Sequence, residues 1–531
     1  MLFNSLPFLL LFLPIALGGY YLLGGIRPSL AAIWLSLASL VFYGWWNPTF
    51  VVLLMASIVF NYLLSLVILS TEDRPKLQLW VLGFGIAANL VVLFYYKYFA
   101  ALLGVLDGWG LVAHSTSDII LPLGISFFTF TQMGFLLDCR AGVVRERGFS
   151  SYVLFVTFFP HLIAGPILHH KEMMPQFADR ANYRFKAENL SVGGALFVIG
   201  LAKKVLLADN IAPWAEAGFS APGELQLLGA WSAALAYALQ LYFDFSGYSD
   251  MAMGLAKMFG IRFPMNFNSP YKSTGIIEFW TRFHMTLTRY LTAYLYNPVA
   301  LAITRARAQK GLPVGRKATA TLRGFSSMVV FPTVLTMGLA GVWHGAGLQF
   351  LIFGLLHGSY LAINHAWRQF GPAPLGTVAR GWHRAGYVLL TFLCVVVALL
   401  FFRANSTADA FRILAGMTGL HGMESLAPVL FPLQAMFAGN PDWSGGDLLR
   451  MLFERWAPGL MIAALLAIVW LAPNSNQIMG DYSPALEGSS PAPRAWMRWR
   501  PNLAWLVLTL LVLAYAMLNL DKTARFLYFQ F

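Results

Sequence analysis

Hydrophobic residues along the chain are grouped into long runs, and short intervals between the runs hold most of the charged residues. An α-helix rises about 1.5 Å per residue, so a run of about 20 apolar residues predicts a helix long enough to cross a bilayer. The pattern predicts about 11 to 13 membrane-spanning helices. The runs that precede residue 140 are residues 1–23, Ser29–Trp45, Thr49–Leu69, Leu77–Val105 and Ile119–Leu137.

Basic residues follow the first, third and fifth of these runs, and the intervals after the second and fourth runs contain no Lys or Arg. Cytoplasmic loops retain Lys and Arg, so this alternation predicts an N-terminus outside the cytoplasm. The same rule predicts that the most basic interval, Thr304–Arg323, is a cytoplasmic loop.

Apolar runs continue to the end of the chain, without an internal repeat or a separate soluble region. We therefore predict one integral membrane domain over residues 1–531. The later runs predict helices near Ser191–Ala208 and Leu227–Phe245, a helical hairpin that flanks His344 and returns to Arg368, and helices that end near Phe402, Leu471 and Leu520.

One apolar stretch does not fit a simple span. Tyr152–Leu168 has basic intervals on both sides and is interrupted by Pro160 and by the Gly165-Pro166 pair. Both of its ends favour the cytoplasm, and proline breaks helices. We expect a re-entrant segment that is protected by the surrounding protein.

A second unusual stretch, Tyr242–Val299, interleaves charged residues with aromatic residues. It is too polar for a clean span and suits a segment that reaches the floor of a cavity. Within it, Ile277–Leu295 predicts a helix with Trp280 and His284 on one face. The alternative is an amphipathic helix at the membrane interface with aromatic anchors.

The stretch Gly338–Gly358, GLAGVWHGAGLQFLIFGLLHG, places His344 inside an apolar run. An ionisable side chain at membrane depth is costly unless it is hydrogen-bonded, faces water or takes part in chemistry. The neighbouring glycines allow other groups to approach closely. A packing histidine in a glycine-rich helix contact is the alternative interpretation.

Composition supports a membrane protein, since 58% of the 531 residues are hydrophobic and only 11% are charged. The net charge of +13 is explained by basic residues at the ends of hydrophobic runs, so it does not indicate a nucleic-acid partner. Two cysteines, Cys139 and Cys394, are too few for a disulfide framework. P-loop, GxSxG, HExxH and CxxC motifs are absent.

Several motifs in this chain resemble those of the membrane-bound O-acyltransferase (MBOAT) family, and in particular its bacterial branch of alginate and peptidoglycan O-acetyltransferases. The paired motifs FWTRFHMTL around His284 and VWHG around His344 are the most specific. Similar segments are FFPHLIAGPILHH, FFRA, LAPNSNQIM and FLYFQF.

The resemblance implies an all-α polytopic bundle of the MBOAT type, with re-entrant segments around a central cavity. It also implies that His344 is catalytic and that His284 supports it. The further candidates for lining the cavity are Trp343, Trp280, Asn268, Tyr271, Arg282 and Asp244.

The implied reaction moves an acetyl group from cytoplasmic acetyl-CoA to an extracytoplasmic polysaccharide, through a periplasmic acetyltransferase partner. We expect no tightly bound cofactor, because acetyl-CoA is a substrate. We also expect no metal, because no nearby cysteine or carboxylate set completes a site around His161, His169 and His170. An imidazole can serve as the base or as an acyl-carrying nucleophile, and both remain open. The alternative function is a transporter or flippase for polysaccharide export that uses its histidines as proton relays, although the internal repeats typical of transporters are absent.

Overall fold

The structure is a computed structural model that describes residues 1–111, 119–144, 146–371, 381–424, 445–520 and 526–527. All regular elements within these residues are helical, which confirms the predicted all-α membrane architecture. Side chains of residues 445–455 and the last four residues of the FLYFQF sequence lie outside the described part.

The helices of the N-terminal quarter correspond to the predicted runs, although the first and last of them begin later than predicted and one run is divided. Tyr98 interrupts the run that was predicted to be one helix over Leu77–Val105, so that prediction was wrong. The helices are α1 (Leu13–Ile26), α2 (Pro28–Gly44), α3 (Thr49–Ser70), α4 (Pro75–Lys97), α5 (Phe99–Gly108) and α6 (Ile125–Arg140).

The segment predicted as Tyr152–Leu168 is broken and buried, as the proline and glycine positions indicated. Two short helices there are followed by extended backbone, and residues 152–170 are all buried. The helices of this part are α7 (Phe149–Thr157), α8 (Phe159–Leu162), α9 (His170–Ala178), α10 (Ala187–Ala202), α11 (Asp209–Ser220) and α12 (Leu227–Met258).

Helix α12 is the centre of the molecule. It is 32 residues long, and all its residues from Ala236 to Met258 are buried. Glycines bring α10 against it: a Cβ atom on Gly200 would lie 2.5 Å from the Gly247 carbonyl oxygen, and one on Gly254 would lie 2.5 Å from that of Gly193. Small residues at both sites allow this close helix packing, which is common in membranes.

The length of α12 corrects the prediction that a helix ends at Phe245 and that an irregular segment begins at Tyr242. Charged residues in the second half of α12 suggested an irregular chain. The two aspartates there are instead neutralised by lysines of a π-helical turn, Lys203–Ala208, which lies between α10 and α11. Lys203 lies 2.6 Å from Asp250, and Lys204 lies 2.6 Å from Asp244.

In the C-terminal half, the predicted helix Ile277–Leu295 is wrong because it breaks before His284. The predicted loop Thr304–Arg323 is partly helical. The helices are α13 (Ile276–Trp280), α14 (Met285–Leu291), α15 (Asn297–Gln309), α16 (Arg316–Thr319), α17 (Leu322–Phe325), α18 (Phe331–His344), α19 (Leu348–Phe370), α20 (Trp382–Arg403), α21 (Thr407–Met417), α22 (Gly445–Leu471), α23 (Ser475–Ile478) and α24 (Leu503–Leu518).

Six helical segments in the described part are long and apolar enough to cross a membrane. They are Phe8–Ile26, Thr49–Ser70, Pro75–Lys97, Ala187–Ser220, Leu322–His344 and Trp382–Arg403. Shorter apolar helices are Pro28–Gly44, Phe99–Gly108, Trp456–Leu471 and Leu503–Leu518. The chain is therefore a multi-pass membrane protein, while the total of about 11 to 13 spans stays a prediction.

Candidate functional site

His344 is the last residue of α18, at the turn of the α18–α19 hairpin that the sequence predicted. Gly345 continues in extended backbone with φ of −171°, and α19 begins at Leu348. The hairpin is tight because a Cβ atom on Gly341 would lie 2.3 Å from the Phe350 carbonyl oxygen. The glycines near His344 therefore permit the two helices to meet, and the end of α18 presents the imidazole.

The imidazole of His344 lies among aromatic rings, and the residue is 7% exposed. Its ring centroid is 4.7 Å from that of Trp343, 5.0 Å from that of Phe402 and 6.0 Å from that of Phe353. Phe402 belongs to the FFRA motif at the end of α20. This motif therefore forms one wall around the histidine.

His344 and Trp343 line a cavity of about 480 Å³. We call it the His344 cavity. Its walls come from the N-terminal residues, the connection between α2 and α3, the end of α4, the segment that leads into α6, and the end of α18. The lining residues are Met1, Leu2, Ser5, Pro7, Trp45, Trp46, Lys97, Leu121, Pro122, Leu123, Gly124, Ile125, Ser126, Phe127, Ile163, Trp343 and His344.

Trp343 contributes an indole N–H that is buried and has no hydrogen-bond partner among the described residues. Its ring stacks on Phe130 at a centroid distance of 5.0 Å, so its orientation is fixed by packing. A buried donor without a partner is uncommon and calls for an explanation. Trp343 also lines the His344 cavity, but the nitrogen itself is buried, so a ligand oxygen would reach it only after a shift of the indole ring or its neighbours.

His284 does not lie within a helix. Its backbone is left-handed, with φ of 44°, and it precedes α14. The predicted shared helix face of Trp280 and His284 is therefore wrong. A non-glycine residue in this conformation is strained, and such strain is concentrated at functional sites.

Asn266 orients the imidazole of His284. The side-chain oxygen of Asn266 lies 3.1 Å from Nδ1 of His284 and also accepts a hydrogen bond from the Thr286 hydroxyl at 2.9 Å. The amide nitrogen of Asn266 donates to Ser249 at 3.1 Å. Since the oxygen is an acceptor, Nδ1 of His284 carries the hydrogen, and Nε2 holds the lone pair when the ring is neutral.

Both motif histidines are buried, and only His344 lines the His344 cavity. His284, His357 and Lys97 all lie within electrostatic range of His344. The Trp280 indole N–H donates to Nδ1 of His357 at 3.3 Å, so Trp280 belongs to a buried aromatic group beside the site. His357 joins the same region through a ring contact of 4.8 Å with Phe353.

The remaining predicted site residues hold the surrounding backbone, and none lines the His344 cavity. Arg282 pairs with Glu278 at 2.7 Å, the helix-spaced pair expected from the sequence. Asn268 accepts from Asn474 at 2.9 Å, and Tyr271 donates to the Ala238 carbonyl at 2.7 Å.

Asp244 belongs to a separate buried ionic group. Lys204 lies 2.6 Å from Asp244 and 2.7 Å from Asp209. The backbone N–H of Leu527 donates to the other oxygen of Asp244 at 3.1 Å. The carboxylate therefore joins α12, the turn after α10 and a segment near the C-terminus.

Lys97 is the lining residue that the sequence reasoning missed. Its Nζ donates to the Trp343 carbonyl oxygen at 2.5 Å and lies 5.5 Å from the centroid of the Trp343 ring. The available signal was a lysine at the end of a 23-residue apolar helix. It was interpreted only as part of a longer apolar run.

No group of three or more His, Cys, Asp or Glu side chains in the described part of the chain is arranged to hold a metal ion. His169 contacts the Tyr294 hydroxyl at 3.1 Å, and His170 contacts Asp138 at 3.1 Å. Each of these two histidines therefore has its own polar partner, Tyr294 or Asp138.

Comparison with known proteins identifies the family. The model of the membrane-bound O-acyltransferase family matches residues 79–312, a range that contains His284. A Pseudomonas aeruginosa protein named probable alginate O-acetylase AlgI is 34% identical over the whole length of both chains. The chain belongs to the membrane-bound O-acyltransferase family.

Other relatives of this MBOAT protein carry related names. Peptidoglycan O-acetyltransferase of Helicobacter pylori is 39% identical over 80% of this chain and 81% of the relative. Teichoic acid D-alanyltransferase of Bacillus subtilis is 26% identical over 52% of this chain and 68% of the relative. The MBOAT protein described here is therefore an acyltransferase, which confirms the enzyme prediction over the transporter alternative.

Proposed function

We propose that this acyltransferase takes an acetyl group from cytoplasmic acetyl-CoA and passes it across the inner membrane for O-acetylation of an extracytoplasmic polysaccharide, through a periplasmic partner. The names of the similar proteins support acetyl transfer to alginate or peptidoglycan. The observation that carries the proposal is the burial of His344 at the wall of a cavity, next to an indole N–H for which the described part of the chain offers no acceptor.

In the proposed reaction, His344 is the general base. It removes the proton from the acceptor hydroxyl as the hydroxyl oxygen attacks the thioester carbonyl carbon. The C–O bond forms, negative charge develops on the carbonyl oxygen, and the C–S bond then breaks. The imidazolium returns the proton to the CoA sulfur, so His344 ends the cycle neutral.

Trp343 is proposed to stabilise the developing oxyanion. Donors that point to the position of developing charge in a water-poor site lower the barrier more than they would in water. The indole N–H of Trp343 suits this task because no described residue accepts from it. His284, whose ring is held by Asn266, is proposed as the supporting histidine that orients or polarises the reacting groups.

Release of CoA tests the proposed reaction. Purified protein in detergent is expected to release free CoA from radiolabelled acetyl-CoA and to transfer the label to a hydroxyl acceptor, such as an alginate oligosaccharide or a peptidoglycan fragment. Boiled protein is the control. Transport of acetyl-CoA into proteoliposomes without thioester cleavage would contradict an acyltransferase reaction at this site.

The proposed direction of transfer requires the N-terminus on the periplasmic side and the interval Thr304–Arg323 in the cytoplasm. Lys310 is exposed in that interval, and Pro48 is exposed in the connection between α2 and α3. In a variant with Cys139 and Cys394 replaced by serine, a membrane-impermeant maleimide added to intact cells should label Pro48→Cys. It should label Lys310→Cys only after the cells are opened.

The two positions serve as mutual controls, because the topology predicts opposite results for them. Labelling of Lys310→Cys in intact cells would reverse the proposed orientation. Equal labelling of both cysteines from the periplasm would place both segments on the same side of the membrane. The alternation of basic intervals would then be wrong as a predictor of the topology.

A further inference from the structure

Two consecutive residues of the α4–α5 break hold the end of α18. Lys97 donates from Nζ to the Trp343 carbonyl oxygen at 2.5 Å. The Tyr98 hydroxyl donates to the Val342 carbonyl oxygen at 2.8 Å and lies 3.4 Å from that of Trp343. Side chains that are 244 and 246 positions away in sequence thus satisfy the helix end that presents His344.

The last four carbonyl groups of an α-helix have no partner within the helix, and a cation near them is favoured by the helix dipole. Glycine follows His344 directly, so the backbone at this end has little intrinsic stiffness. The contact from Lys97 is therefore a restraint on the helix end that carries the imidazole, supplied by a different transmembrane helix.

The environment of the Lys97 ammonium is also unusual. It is half-buried in a largely apolar cavity, and no carboxylate in the described part of the chain pairs with it. An ammonium in such a place loses hydration without an ionic partner, so it is retained at a penalty. Its Nζ lies above the Trp343 ring. This cation–π contact and the hydrogen bond to the Trp343 carbonyl oxygen partly offset the lost hydration.

We infer that Lys97 is a positioning residue for acyl transfer, which holds the C-terminal end of α18 and thereby fixes His344 and Trp343 at the wall of the cavity. The inference rests on the proposed function of His344. A displacement of about 1 Å in a reacting group can reduce a rate on the order of a hundredfold. Loss of the Lys97 contact is expected to lower kcat without weakening donor binding.

The first test compares Lys97→Met with Lys97→Arg. Methionine keeps an unbranched apolar side chain but removes the ammonium, and arginine keeps a cationic donor. We expect Lys97→Met to lower kcat for CoA release on the order of tenfold to a hundredfold, with KM for acetyl-CoA within twofold of wild type. Lys97→Arg should recover part of that loss. Lys76→Met is the matched control, because Lys76 is an exposed lysine at the other end of α4.

Chemical restoration separates positioning from a role in folding. In a variant with serine at 139 and 394, Lys97→Cys is purified and treated with 2-bromoethylamine. The thiolate displaces bromide, and the new C–S bond creates an ammonium at the reach of lysine. We expect kcat to rise at least fivefold after this treatment and to stay low after alkylation with iodoacetamide, which adds a neutral amide.

The outcomes separate the inference from the function on which it rests. If wild type releases no CoA, the proposed function fails. If wild type is active and Lys97→Met retains kcat within twofold, or changes only KM, the positioning role is wrong. If Lys97→Met melts at a lower temperature than wild type, the aminoethylated Lys97→Cys protein distinguishes positioning from folding. A kcat that stays low after aminoethylation would overturn the inference.

Discussion

Replacement of His344 by alanine is expected to lower acyl transfer at least about a hundredfold, while the protein remains inserted and folded. A general base contributes roughly 10² to 10⁴ in rate. The side chain borders a cavity, so its truncation removes an imidazole without opening a new space inside a packed core. The measurement is the rate of CoA release, together with the melting curve in detergent and the affinity for acetyl-CoA.

His284→Gln is the comparison variant for this experiment. A glutamine amide can still donate to the Asn266 oxygen, so this variant should retain more activity than His284→Ala. Activity near wild type in His344→Ala would assign His344 to packing and remove the proposed mechanism. Complete loss in His344→Ala with an unchanged melting temperature, beside partial loss in His284→Gln, is the expected pattern.

Most of the fold could be predicted from the sequence because long apolar runs have one stable form in a bilayer. A backbone in hydrocarbon must satisfy its own hydrogen bonds, so runs such as Thr49–Leu69 become helices with nearly the predicted ends. The same logic found the broken segment at Tyr152–Leu168, where proline and glycine prevent a regular helix.

Errors arose where distant residues determine the local structure. The charges on α12 suggested an irregular chain, yet Lys203 and Lys204 neutralise its two aspartates from 47 and 40 residues away in sequence. A hydrophobicity pattern contains no information about such pairs. The contact of the Tyr98 hydroxyl with the end of α18 is a further long-range interaction that the pattern does not contain.

The candidate site was predicted in part. Sequence motifs selected His344, His284 and Trp343, and the structure places His344 and Trp343 at the wall of one cavity that His284 does not line. The helical pattern assigned His284 to a regular helix because periodicity cannot report a left-handed residue. Lys97 was missed because it ends an apolar run far from the histidines in sequence, and only the tertiary structure shows its contact with Trp343.

Replacement of Lys204 by methionine is expected to destabilise the protein strongly. Lys204 is 1% exposed and lies between Asp209 at 2.7 Å and Asp244 at 2.6 Å. Its ammonium also lies 4.7 Å from the centroid of the Phe526 ring. Without the cation, two buried carboxylates remain close together, and removal of one partner from a buried ion pair costs about 3 to 5 kcal/mol.

The measurement is the melting temperature in detergent and the yield of folded protein, both of which should fall in Lys204→Met. Lys203→Met is the matched control from the same π-helical turn, because Lys203 pairs with one carboxylate and its side chain is 14% exposed. Its loss should be smaller, since water can solvate part of the site after the change.

A compensated variant distinguishes the ionic effect from a simple packing effect. Lys204→Met combined with Asp209→Asn and Asp244→Asn removes the uncompensated charges while it keeps similar side-chain volumes. The triple variant should melt at a higher temperature than Lys204→Met alone, because the three positions are coupled through one ionic group. A melting temperature for Lys204→Met equal to that of wild type would show that the cation does not hold α12 to the turn after α10. A triple variant less stable than the single one would attribute the loss to packing.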